Sequence, residues 1–114
     1  MIKNFVLGLS ISFFLVTTKA VADQSQFLKM TRYQIVLSSG NVVAFRSDGW
    51  RFVGCPLARQ VVISSTDDGF DAAFSTIMLS YSNDAEILFG GNCVLDNGSP
   101  TDIVNATSVL TPNQ

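Results

Sequence analysis

The chain carries two cysteines, Cys55 and Cys93, about 38 residues apart, and this pair constrains the fold more than any other feature. They form no CxxC spacing, and with no histidine in the 114 residues there is no imidazole to join them around a metal. Whether they pair with each other depends on the compartment, and the N-terminal sequence bears on that. Met1-Ile2-Lys3-Asn4 is a short positive segment, Phe5 to Val16 is an apolar run, and Ala20-Val21-Ala22 is a small-x-small pattern ahead of Asp23. Those parts in that order read as a secretory signal peptide over residues 1–22. A membrane anchor needs about 20 apolar residues, more than the run supplies. The expectation is a secreted or periplasmic chain with no membrane span, folded as a single domain over residues 23–114. In an oxidising compartment the two cysteines read as a disulfide, and closing so long a loop stabilises a fold by roughly 4 kcal/mol in the chain-entropy model.

Charge and composition exclude several functions. Removing Lys3 and Lys19 with the leader leaves five of the seven Lys and Arg against all nine Asp and Glu, a formal charge of −4. A nucleic-acid binder needs clustered basic charge, so that partner is excluded. Without histidine, no serine has the commonest general base beside it, and both thiols are expected to be oxidised. Lys29 is the only lysine after the leader, which leaves a Ser-Lys dyad a single candidate in an irregular stretch. The chain therefore reads as a non-enzyme that needs no cofactor and no metal. Asp67, Asp68 and Asp71 do cluster, but their place just before a helical pattern suits capping and the positive end of the helix dipole. They lack the alternating oxygen ligands of a calcium loop.

Hydropathy patterning gives an α+β order. Tyr33 to Leu37 and Val42 to Arg46 flank the turn cluster Ser38-Ser39-Gly40-Asn41, which predicts a hairpin. Trp50 to Val53 reads as a short strand, and Arg59 to Ser65 as another. Phe70, Phe74, Ile77, Met78 and Tyr81 recur with a period near 3.6, which predicts one helix with that face against a sheet. Glu86 to Phe89 and Ile103 to Leu110 read as strands, with Gly90-Gly91-Asn92 as a turn and Asp96 to Pro100 as a loop. The expected fold is a small OB-like barrel, or an antiparallel sheet with one packed helix, clipped by Cys55–Cys93. From Ala72 to Asn83 the helix carries no charged residue. That predicts cover for the side bearing Thr76, Ser80 and Asn83, from a second copy of the chain or from a loop of its own.

The run Ala73-Phe74-Ser75-Thr76-Ile77 at the start of the helix is similar to the helix of small secreted toxin B subunits, the subtilase-cytotoxin and pertussis-like binding subunits. The order of strands, cysteine, helix, strand and second cysteine over roughly residues 55–110 also resembles small exported proteins of Gram-negative bacteria. The resemblance implies an OB-like barrel or a related sheet-plus-helix fold and a binding role, for a receptor or glycan, with a homo-oligomer as one form it could take. No glycan-binding residue carries over, because the stretch after Phe74 is about a helical turn shorter and the cysteine-bearing strand of the sugar pocket has no counterpart.

The residues themselves offer one candidate binding surface. Trp50 and Phe52 alternate along the expected strand and read either as core or as an aromatic platform, with Arg46 or Arg51 supplying a hydrogen-bonding fork. The functions in view are a non-catalytic receptor or glycan binder, and a structural or inhibitory module that recognises a protein by strand addition.

Overall fold

The computed structural model describes residues 23–112, so the leader read over residues 1–22 lies outside the described residues. Six strands and one helix follow in chain order: β1 (Asp23–Gln24), β2 (Arg32–Ile35), β3 (Val42–Phe45), β4 (Gln60–Ile63), α1 (Phe70–Ser82), β5 (Leu88–Asp96) and β6 (Ser99–Leu110). They form one sheet in the order β1-β5-β6-β4-β3-β2. The expected hairpin is β2 and β3, with Gly40 in the connecting turn at φ 78°, where only a residue without Cβ is unstrained. In β3 and β4 every second residue is buried, Val42 and Ala44 beside Val61 and Ile63, so one face of each strand builds the core.

Strand alternation alone allows a fully antiparallel sheet, but the sheet is mixed. β4 and β6 run parallel, from Gln60 opposite Ile103 to Val62 opposite Asn105. The reason is an even number of reversals: β5 runs against β4, and the turn at Asn97-Gly98 reverses the chain again into β6. Both turn residues have positive φ, 53° and 82°, which makes this a two-residue hairpin turn rather than the open loop expected over Asp96 to Pro100. Gly90 and Gly91 also differ from expectation. They lie inside a continuous β5, where the register shifts, and β1 pairs there through Asp23 and Gln24. A Cβ on Gly91 would overlap the Asn105 carbonyl oxygen, and one on Gly90 the Ser108 hydroxyl. These glycines serve close backbone approach at a bulge, not a turn.

Between β1 and β2 the chain bonds to both ends of the sheet. Ser25 N donates to Phe89 O at 2.8 Å, and Leu28 exchanges two backbone bonds with Ile87, at 3.0 and 2.9 Å. Thr31 N then donates to Phe45 O at 2.8 Å.

The helix occupies the predicted span but presents a different face. Ile77 and Ser80 are its buried residues, with Phe70, Ala73 and Phe74 packed against the core, while Met78 and Tyr81 are exposed. Periodicity locates apolar side chains but not the flank that meets the sheet. A small serine fits where the helix comes close, so Ser80 is covered within the chain itself, while Asn83 on the same expected side is exposed. No side chain caps the N-terminus: Gly69 is the cap residue, and Phe70 N donates to the Asp67 backbone oxygen at 3.0 Å. Asp67 and Asp68 thus flank the helix without capping it, and Asp71 sits in its first turn.

The core centres on Trp50, Phe52, Phe89, Ile77 and Ile87. Cys55 and Cys93 are bonded, with Cα atoms 5.5 Å apart, so the turn after Phe52 is tied to β5 and α1 lies inside the closed loop. No described helix is long and apolar enough to cross a membrane.

Candidate binding site

The expected aromatic platform does not reach the surface. Residues Trp50 to Val53 are not a regular strand: Arg51 has φ 64°, and Phe52 makes a single bridge to Cys55. Trp50 is 0% exposed and Phe52 2%, so both side chains belong to the core. The Trp50 indole N–H donates to the Ala44 carbonyl at 3.3 Å, and its ring stands edge-on to Phe89 with centroids 5.0 Å apart. No sugar can stack on rings so covered. Arg46 is spent internally, its Nε donating to Gly49 O at 2.9 Å and its Nη1 to Lys29 O at 2.6 Å. Arg51 is exposed. The four candidates therefore do not converge on one surface.

A different feature stands out, and it arises from unequal strand lengths. β4 stops at Ile63, where Ser64-Ser65-Thr66 turns the chain toward α1: Asp67 N donates to Ser64 O, and Ser65 N to the Asn41 side-chain oxygen. β6 pairs with β4 only as far as Asn105, then runs on to Leu110. On its other side β6 stays paired with β5 to the end. Beyond Asn105 the edge of β6 that faces away from β5 pairs with no strand among the described residues. Alternate residues of such an edge present N–H and C=O groups sideways, ready for another strand.

That edge forms one wall of a groove of about 630 Å³. Ala106 to Val109 line it on one side, and Phe70, Ala73 and Thr76 of α1 on the other, with Ile63 between them. The helix positions this wall because Phe70 and Phe74 pack against each other, with centroids 5.9 Å apart, and Phe74 meets Tyr33 edge-on at 6.2 Å. The lining is apolar or hydroxyl-bearing except for Asp67. Asp68 and Asp71 are close to it in sequence, and among the described residues none of the three carboxylates is in an ion pair. The ion pair found among the described residues, Lys29 with Asp84 at 3.2 Å, lies elsewhere. Among the described residues, no three His, Cys, Asp or Glu side chains gather where they could hold a metal ion.

Sequence reasoning missed the groove. Its signal was present in the long strand pattern from Ile103 to Leu110 set against the shorter one ending at Ser65, but only the parallel register turns that difference into an open edge. No family model, curated protein or solved structure matches the chain.

Proposed function

We propose that this chain is an exported, non-catalytic binding module that captures an extended polypeptide by strand addition along β6, with the sheet closed as a small OB-like barrel. The observation that carries the reading is the overhang of β6 beyond Asn105, which leaves one strand edge without a partner strand among the described residues, beside a groove. Backbone hydrogen bonds to such an edge supply affinity, and pockets for alternate side chains supply selectivity. Closure is supported by the backbone bonds of Ser25 and Leu28 to one end of the sheet and of Thr31 to the other. The disulfide suits an oxidising extracellular or periplasmic location.

The likeness of Ala73 to Ile77 to toxin B subunits supplies no glycan-binding residue, and the aromatic pair that could have stacked on a sugar, Trp50 and Phe52, is buried. A protein partner is therefore favoured over a sugar. The test is a titration of the isotope-labelled protein with a pool of random extended hexapeptides and, separately, with a panel of host-type oligosaccharides. The expected result is saturable chemical-shift change at Ala106, Thr107, Ser108 and Val109 with peptides and none with sugars. Sugar-dependent shifts mapping away from β6, with no response to peptides, would overturn the reading.

A further inference from the structure

Three further features lie on the surface: the outer side of α1, the hollow between Lys29 and Ser82, and the acidic end of the groove itself. The outer side of α1 exposes Leu79 (63%) and Tyr81, but nothing shows what would cover it. The hollow lined by Lys29, Ser80, Tyr81 and Asp84 already contains its own ion pair. The groove's acidic end carries more.

Resting on the strand-addition reading, we infer that the partner segment is a cationic one: an extended stretch of small and β-branched residues with a lysine or arginine at the end that lies beside Asp67. Three observations combine. The overhang of β6 from Ala106 to Leu110 spans about 16 Å at roughly 3.3 Å per residue, so it accommodates about five residues of added strand. The walls set the side-chain pattern. Phe70, Ala73, Ile63 and Val109 offer apolar contact to residues pointing inward, while Thr107 and Ser108 tolerate polar ones pointing out. The charge sets the end. Asp67 lines the groove, with Asp68 and Asp71 adjacent in sequence at the start of α1, and no cation of the described chain neutralises them.

A cation at that end gains attraction to Asp67 and, at longer range, to Asp68 and Asp71, while an acidic residue meets like charge there. Because these carboxylates are exposed, the attraction is screened by salt. An added strand in this position continues the line that β4 abandons at Ile63, so its backbone meets β6 in the direction the existing ladder already uses or in the reverse one. Either direction leaves the cation requirement in place.

The test uses three fluorescent probes: the peptide Lys-Val-Thr-Val-Thr-Val-Thr-Lys, which places a lysine beside Asp67 in either direction, the same peptide with glutamate for both lysines, and the lysine peptide N-methylated at alternate amides. Fluorescence anisotropy should show the lysine peptide binding at least tenfold more tightly than the glutamate one at low salt. The preference should shrink at high salt and fall toward unity in a protein carrying Asp67→Asn and Asp71→Asn. Equal binding of the lysine and glutamate peptides, with N-methylation still abolishing both, would overturn the cationic partner while leaving strand addition intact. Binding indifferent to N-methylation, or no binding of any probe, would overturn strand addition and the cationic partner together. Light scattering of the protein alone is run beside it: a stable oligomer in which Ala106 to Val109 are protected assigns the groove to a second copy and also overturns the peptide assignment.

Discussion

Trp50→Ala is expected to lower stability by about 3–5 kcal/mol, the usual cost of removing a large aromatic side chain from a core. The ring is fully buried, it meets Phe89 edge-on, and its N–H donates to the Ala44 carbonyl, so truncation leaves a cavity and removes that hydrogen bond. The loss consumes much of the net stability of about 5–15 kcal/mol available to a domain of this kind. Urea unfolding followed by far-UV circular dichroism measures it, with the shift read from the midpoint at unchanged slope. Arg51→Ala in the same assay should stay within about 0.5 kcal/mol, because its side chain is exposed. A Trp50→Ala protein as stable as the parent would return Trp50 to the surface and restore the aromatic platform as a binding site.

The second large effect belongs to the disulfide. Replacing both Cys55 and Cys93 with alanine is expected to cost about 2–5 kcal/mol, the range found when a small exported domain loses a native bridge. The closed loop runs over 38 residues and contains β4, α1 and the start of β5, so cutting it releases the helix together with one wall of the groove. Thermal unfolding should shift down by at least about 8 °C, since 1 kcal/mol moves a domain of 60–100 residues by about 4–8 °C. The parent protein heated with a thiol reductant should show the same shift. Superimposable curves with and without reductant would mean that the bridge contributes nothing to the folded state.

Local patterns in the sequence account for much of the architecture. The β2–β3 hairpin follows from two β-rich runs around a Ser/Gly/Asn cluster, the helix span from its 3.6-residue period, and the cysteine pairing from the expected oxidising compartment and the lack of a CxxC spacing or histidine. The misreadings of the glycine pair, the helix face and the groove share a cause, which is that the deciding contact is distant in sequence. Gly90-Gly91 looks like a turn because glycine breaks local structure, yet each is there because β6 comes too close for a Cβ. Asn97-Gly98 was legible in principle as a two-residue turn, but Ser99-Pro100 after it suggested a longer loop. Proline is tolerated there because Pro100 lies near the first residue of β6, close to the hairpin end. Trp50 and Phe52 are buried, as the core reading had it, although the backbone around Arg51 is not a strand.

The groove was the least legible feature, since no residue within it has an unusual pattern of its own. Phe70 and Ala73 belong to an ordinary helix face, and Ala106 to Val109 to an ordinary strand. The opening exists because β4 ends at Ile63 while its parallel neighbour continues, a difference that depends on register between segments some 40 positions apart in sequence. Ser80 makes the same point on the helix: a polar residue at an inward position is decided by how closely the helix approaches the sheet.

Amide hydrogen exchange along β6, read residue by residue by NMR, tests the open edge most directly. In the free, monomeric protein the amides of residues 106–109 that point away from β5 should exchange far faster than the amides of Ile103 to Asn105, which lie between two strands. Adding the lysine-bearing peptide should slow those same amides and leave the rest of β6 unchanged. Uniformly strong protection of residues 103–109 in the free protein would mean that the edge is already paired, and the binding site assigned to it would not exist.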